Sequence, residues 1–292
     1  MLLKLIFAGY SYDYMGPYFI FYDDYLKNYK KQYLNRKSFT IKKFKERYCI
    51  GIYNLTTMSY LPCPNNRELD FNSKINNCSE CYNKIGFNPA FYNTQKISPQ
   101  QLEYNKLPHV VYLAYFSPLH IKVGTASKRR LLLRLLEQGA RSAFILATFP
   151  NAYLARKLEA KLCGGGYGIL ERLSSEQKLK IVCENSYSSK VANKILTNVL
   201  MQVDIVPESE FLDFNLKYFY NNNYDLSNLE KVKAPQFLSG QAIGMIGDIA
   251  ILKQKEKIIA VPVKKFISHK IDINYSENFM KYLTEPKQIS FW

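Results

Sequence analysis

The chain has 292 residues and carries 40 Lys plus Arg against 24 Asp plus Glu, a formal charge of +16. Hydrophobic residues make up 47%, which excludes a globally disordered chain and leaves material for roughly two or three domains with a real core. No apolar run approaches the ~18 residues of a membrane-spanning helix, and Met1 to Ala8 has neither the length nor the basic flank of a secretion signal, so a cytoplasmic protein is expected.

A sequence pI of about 9.4 suits a polyanionic partner such as RNA, DNA or an acidic protein; a basic proteome gives the same balance. Residues 1–60 read as strands at Met1–Gly9, Tyr18–Tyr22, Ser38–Phe44 and Tyr48–Leu55, rich in Tyr, Phe and Ile. Between Lys27 and Arg47 the cations Lys30, Lys31, Arg36, Lys37, Lys42, Lys43 and Lys45 interleave with Tyr29, Tyr33, Phe39 and Phe44, and Glu46 is the one acid. Cations with aromatics suit phosphate contact and base stacking. The same pattern suits an edge strand that lysines guard from aggregation.

Cys49, Cys63, Cys78 and Cys81 fall in one short stretch, far from Cys163 and Cys183. In a reducing compartment, clustered cysteines indicate metal more often than disulfide. Cys78-Ser-Glu-Cys81 can turn two thiolates toward one ion, and Cys49 and Cys63, the latter between Pro62 and Pro64, would complete a four-thiolate zinc site. Such a site has no open position and is structural. The alternatives are buried free thiols or a redox CxxC, which normally opens a helix after a strand, a context that Asn76-Asn77-Cys78 does not resemble. Residues 61–108 show little periodicity, and a metal would staple them.

From His109 the character changes. His109–Phe116 reads as a buried strand, Ser117-Pro-Leu119 as a turn and His120–Gly124 as its hairpin partner. Ser127 or Thr125 is placed to cap a helix that runs to about Gln138 and stops at Gly139. Ala143–Phe149 is a third strand. Asn151 caps a second helix with Leu154, Leu158 and Leu162 as its buried stripe, and Gly164-Gly-Gly166 ends it. Ser174 with Gln177 forms a capping box for helices through about Val203. After Pro207 strands return, with a hairpin of Asp248–Leu252 and Ile258–Val263; the glycines of Gly240 to Gly247 mark bulges or close strand approach, not a dinucleotide fingerprint.

The central block carries the most chemistry. Arg130, Arg134, Gln138 and Arg141 follow at spacings that align them on one helix face, suited to a phosphodiester, since guanidinium binds phosphate bidentately. Glu159 lies at the edge of the next helix, where it either binds Mg²⁺ or Mn²⁺ or simply pairs with Arg156 or Lys157.

His109-Val-Val-Tyr-Leu-Ala-Tyr-Phe, Lys122-Val-Gly-Thr-Ala, Arg134-Leu-Leu-Glu-Gln-Gly-Ala140 and Ala155-Arg-Lys-Leu-Glu-Ala resemble the GIY-YIG nuclease superfamily, with Val110-Val-Tyr112 and Lys122-Val-Gly124 in the two signature positions. The whole chain resembles the DUF2797 family across the Cys49 to Cys81 cluster, the central block and Ile246-Gly-Asp-Ile-Ala-Ile-Leu252. The nuclease resemblance implies that Tyr112 positions the attacking water, Arg134 neutralises transition-state charge, Glu159 holds a divalent metal and Gly124 permits close approach. Lys122 stands where the pattern has a second tyrosine, and Gln138 where a basic or hydroxyl-bearing residue is frequent; Gln transfers no protons.

Together these readings give an α+β protein in three parts. Residues 1–108 are a β domain with the zinc cysteines, 109–204 a GIY-YIG-like sheet with helices, and 205–292 a small β barrel or sheet. The expected catalytic set is Tyr112, Lys122, Arg134 and Glu159. The expected nucleic-acid contacts are Arg130, Gln138, Arg141, Lys42, Lys43 and Lys45. The expected activity is nucleic-acid binding, with metal-dependent phosphodiester cleavage, a non-catalytic binding platform and RNA modification as the competing versions.

Overall fold

The computed structural model of the chain describes residues 4–88, 91, 97–184, 187–221, 229–232, 235–276 and 279–280. In chain order the elements are β1 Leu5–Asp13, β2 Gly16–Asp23, β3 Asn28–Tyr33, β4 Ser38–Tyr48, β5 Ile52–Asn54, β6 Ser59–Leu61, β7 Glu68–Leu69, α1 Ser79–Ile85 and α2 Pro99–Asn105. Then come β8 His109–Ser117, β9 His120–Ser127, α3 Leu131–Gln138, β10 Ser142–Phe149, α4 Ala152–Gly164, α5 Ser175–Glu184, α6 Ser189–Gln202 and α7 Phe214–Phe219. The last strands are β11 Leu229–Lys231, β12 Phe237–Ile246, β13 Ile249–Gln254, β14 Lys257–Pro262 and β15 His269–Asn274. The protein is thus α+β with sheet dominant. Its contacts group into two compact units, one of Met1–Arg47, Ser174–Ser186 and Tyr218–Trp292, the other of Tyr48–Leu173 and Tyr187–Lys217.

In the first unit both ends of the chain share one large mixed sheet, in the order β11-β14-β13-β12-β4-β15-β1-β2-β3. β11 runs parallel to β14, while β13 and β14 pair antiparallel as the expected hairpin. β12 turns into β13 through Gly247 and Asp248, with Gly247 at φ 59°, the left-handed conformation that a two-residue hairpin loop requires. At Gly240 (φ 145°) a Cβ would stand 3.0 Å from both Leu252 Cβ and Lys253 O, so this glycine does mark close strand approach. Phe7, Phe19 and Phe39 are fully buried and meet in tilted and edge contacts at 5.2–5.8 Å between ring centres. Each such ring removed from water contributes roughly 2–3 kcal/mol.

The first unit also takes in α5. Ser174 and Gln177 form the expected capping box: Gln177 N–H donates to Ser174 Oγ at 3.1 Å and Ser174 N–H to Gln177 Oε1 at 2.8 Å. Asp248, fully buried at the hairpin turn, accepts from Ser175 Oγ at 3.1 Å and lies 3.4 Å from Lys264 Nζ and 3.7 Å from Lys178 Nζ. Those contacts fix α5 on the hairpin.

β3 lies at the end of that sheet and falls between the strands read from sequence. Its lysines are matched by acids one strand or turn away: Lys30 pairs with Asp23 at 2.7 Å and Lys31 with Asp13 at 3.4 Å. Counting charge along residues 27–47 missed these partners, because they lie across the ladder, not along it. Among the described residues β3 is an edge strand, the position that one of the two readings of this segment expected.

In the second unit β8 is the central strand of an antiparallel sheet, order β10-β8-β9, and is buried along its whole length. Val111, Leu113 and Tyr115 share one core with Ala155 and Leu162 of α4 and Ala192 and Leu196 of α6. Asn151 caps α4 as expected, accepting from Leu154 N–H at 3.0 Å. The buried stripe of α4 differs from expectation: it is Ala152, Ala155, Glu159 and Leu162, while Leu154 is 40% exposed. Two alanines let the helix approach the sheet closely, and that rotation carries Glu159 from the helix edge into the interior.

α3 also departs from expectation. Lys128–Arg130 is a 3-10 turn, Ser127 makes no side-chain cap bond there, and the α-helix begins at Leu131. Gly139 (φ 85°) stops it as expected. Residues 61–108 hold more structure than their composition suggested: β7, α1 and α2, the last with Ser98 Oγ accepting from Gln101 N–H at 3.2 Å.

Candidate functional site

The four clustered cysteines meet. Cys49 leaves the end of β4, Cys63 follows β6, Cys78 is the N-cap of α1 and Cys81 sits in its first turn. The CxxC therefore does open a helix, contrary to the sequence reading. All four sulfurs lie within 4.8 Å of one another and all are buried. Cys63 and Cys78 Sγ stand 3.8 Å apart. That is far from the ~2.05 Å of a disulfide and equals the ~3.8 Å edge of a tetrahedron with ~2.3 Å metal–sulfur arms.

Backbone N–H groups point at the sulfurs. Cys78 N–H donates to Cys49 Sγ at 3.2 Å. Gly51 N–H also reaches Cys49, and Arg67 and Asn65 N–H reach Cys63. Burial pushes the Cys49 thiol up to about 11 despite those donors. It pushes Cys63 up as well, but there the backbone N–H groups and neighbouring thiols outweigh it and the thiol ends below its usual value. Cys81 is raised by burial and by Cys49. Four thiols this close cannot all ionise unaided; a bound cation removes the conflict. Ile52 and Leu69 shield the cluster. These four thiols could hold a metal ion such as zinc.

The second constellation is in the three-stranded sheet. Tyr112 on β8 pairs in register with Gly124 on β9, and its ring lies across that glycine: a Cβ there would stand 2.5 Å from Tyr112 Cζ. Tyr112 is fully buried. Its hydroxyl meets the Gln138 amide at 3.2 Å. With its carbonyl turned to the guanidinium, Gln138 accepts from Arg134 Nε at 2.8 Å and Nη2 at 3.1 Å. Arg134 itself is exposed. Burial pushes the Tyr112 phenol up to about 12, against the opposing pull of Arg134.

Lys122 is 9% exposed and donates to Val123 O at 3.0 Å. Burial pushes its ammonium down to about 8, opposed by the nearby Glu159 carboxylate. Glu159 is 3% exposed, accepts from Thr125 Oγ1 at 3.1 Å and pairs with Arg156, which also reaches Glu171 at 2.8 Å. Thr125 and Gly124 are consecutive on β9, so Glu159 and the Tyr112 ring approach that strand from its two faces.

Structure thus joins Tyr112, Gln138 and Arg134 in one contact chain and sets Lys122 and Glu159 within electrostatic reach of it. Arg130 and Arg141 stand apart. Arg130 pairs with Glu137 at 3.2 Å and its guanidinium lies 5.5 Å from the Tyr53 ring centre; Arg141 lies 5.1 Å from that of Tyr187. The 3-10 turn before α3 and the stop at Gly139 break the single helix face that their spacing assumed. On β4, Lys42 and Lys45 are exposed, whereas Lys43 donates to Lys265 O at 3.1 Å and is lowered by burial and by Lys265. Sequence offered Thr125 as a helix cap and missed its bond to Glu159, and it missed the sulfur-facing N–H of Gly51 and Asn65; the glycine two residues after Cys49 was the available signal.

Fold and site define an α+β protein with a closed, buried four-cysteine centre beside a three-stranded sheet that carries a compact polar cluster. A family model described as Protein of unknown function (DUF2797) matches residues 37–271, most of the chain, and the chain belongs to that family. No curated protein and no solved structure matches it.

Proposed function

We propose that this is a zinc-stapled nucleic-acid-binding protein, in which a sheet resembling that of GIY-YIG nucleases serves to hold phosphate, not to cleave it. The observation that carries the reading is the Glu159 carboxylate, buried and already matched by Arg156 and Thr125. A carboxylate already engaged by a guanidinium and a hydroxyl is a poor ligand for Mg²⁺, which binds through one or two carboxylates and keeps several waters. Tyr112 supports the same view, because a fully buried phenol held by Gln138 has no access to an attacking water. Arg134, exposed and braced by Gln138, is the group to meet a phosphate; in the other unit Lys42 and Lys45 are exposed cations of their own, and the +16 charge attracts polyanions at large. Zinc on Cys49, Cys63, Cys78 and Cys81 holds the segment that follows β4, and reduced thiols of this kind suit the cytoplasm.

Fluorescence anisotropy with labelled RNA and DNA tests this. Affinity should fall with a log–log salt slope of several units, and Arg134→Ala should weaken binding about tenfold. No binding at 50 mM salt, or binding indifferent to salt, refutes it.

A second reading, a metal-dependent phosphodiesterase, is favoured by the charge of Glu159, which acts on both the Tyr112 phenol and the Lys122 ammonium. Arg156 would have to release the carboxylate to Mg²⁺ or Mn²⁺. Cleavage that needs either ion and is lost in Glu159→Gln would establish it in place of the first.

A further inference from the structure

The β5–β6 hairpin has two faces in use. Ile52 packs against the cysteine cluster. Tyr53, next along β5, points the other way and meets Tyr60 with ring centres 4.6 Å apart. Against that aromatic pair lies Arg130, 5.5 Å from the Tyr53 ring centre and with its side chain only 11% exposed. Arg129 Nη1 donates to Thr56 O at 3.2 Å in the hairpin loop. Arg130 then reaches Glu137 of α3, and the adjacent Gln138 touches both Arg134 and Tyr112. An unbroken series of contacts therefore runs from the sulfurs to the polar cluster. Neither end stands alone physically: a two-stranded hairpin is marginal in water, and so is an eight-residue helix.

We propose that Tyr53 and Arg130 couple the cysteine module to α3, so that metal loading sets the position of Arg134 and Gln138 against Tyr112. Arg130, whose spacing suggested a phosphate ligand, is on this account a positioning residue. Metal on the four thiolates fixes Cys49 and hence the start of β5; β5 presents Tyr53; Tyr53 holds Arg130 and with it the first turn of α3. The coupling concerns order within the chain and stands whether or not the cluster binds nucleic acid.

Hydrogen exchange on the full-length chain, loaded with Zn²⁺ and then stripped with a chelator, tests it. Stripping should speed exchange of the 131–138 amides at least tenfold, along with those of Ile50 and Tyr82 in the module. In Zn²⁺-loaded Arg130→Gln and Tyr53→Leu, α3 should exchange at least fivefold faster while the module amides and β8 keep wild-type protection; Arg130→Lys, which keeps the charge over the ring, should restore α3. Protection of α3 that survives stripping while the module opens overturns the proposal. Wild-type exchange of α3 in loaded Arg130→Gln overturns it too, even where stripping unfolds more of the chain than the module.

Discussion

Gly124→Ala is the sharpest probe of the sheet. The added methyl would stand 2.5 Å from Tyr112 Cζ and 2.9 Å from Cε2, and closer still to Oη. Ordinary carbon contacts are ~3.5–4.0 Å, so the ring must retreat by about 1 Å. It has little room, being fully buried on a strand that is buried along its whole length and tied at its hydroxyl to Gln138. Overpacking of this kind costs about 1–3 kcal/mol, and displacing a buried hydroxyl from its partner adds about 1 kcal/mol. The expected loss is therefore about 2–4 kcal/mol, a large part of an ordinary domain's stability, read as a lower urea midpoint at unchanged slope. Tyr112→Leu in the Gly124→Ala background removes the clashing atoms, so the double variant should be more stable than the sum of the two single losses. If Gly124→Ala lies within about 0.5 kcal/mol of wild type, the ring does not lie across β9 as described.

Three further outcomes are expected. His109 is 2% exposed, with Nδ1 bonded to Leu107 O at 2.8 Å, and burial lowers its pKa below the ordinary 6.5. The unfolded chain takes up that proton first, so the contribution is complete above about pH 6.5 and is lost on acidification toward the folded value, at up to about 1.4 kcal/mol per pH unit. Urea midpoints from pH 8 to 5 should show a steeper acid loss in wild type than in His109→Gln; equal slopes would contradict this. Asn151→Ala should cost about 1 kcal/mol by removing the α4 cap, and a thermal midpoint equal to wild type would count against the capping bond. Chelation at neutral pH should release about one zinc per chain and expose the four clustered thiols to a thiol reagent, while Cys78→Ser should purify without the ion; thiols already reactive before chelation would argue for an unmetallated cluster.

Much of the central sheet was legible because its signals are local. The β8–β9 hairpin, the Asn151 cap, the Gly139 stop and the Ser174–Gln177 box each depend on residues a few positions apart. The cysteine cluster was legible for a different reason: few other arrangements of four clustered thiols make chemical sense, although their spacing did not reveal that Cys78 caps a helix. The pairing of Glu159 with Arg156 was among the options that helix spacing allowed, but the burial of Glu159 was not.

By itself, then, the sequence determined the mixed α and β character, the central strands and the four metal-capable thiols. Tertiary structure alone decided which strands are neighbours, so that acids across the ladder neutralise Lys30 and Lys31 and the two ends of the chain share one sheet. It decided that Ala152 and Ala155, not Leu154, face the sheet, which buries Glu159. It also drew Arg130 to Tyr53 and Arg141 to Tyr187, away from Arg134. Partners far apart in sequence fix the charge state and accessibility of these groups, and no local pattern encodes them.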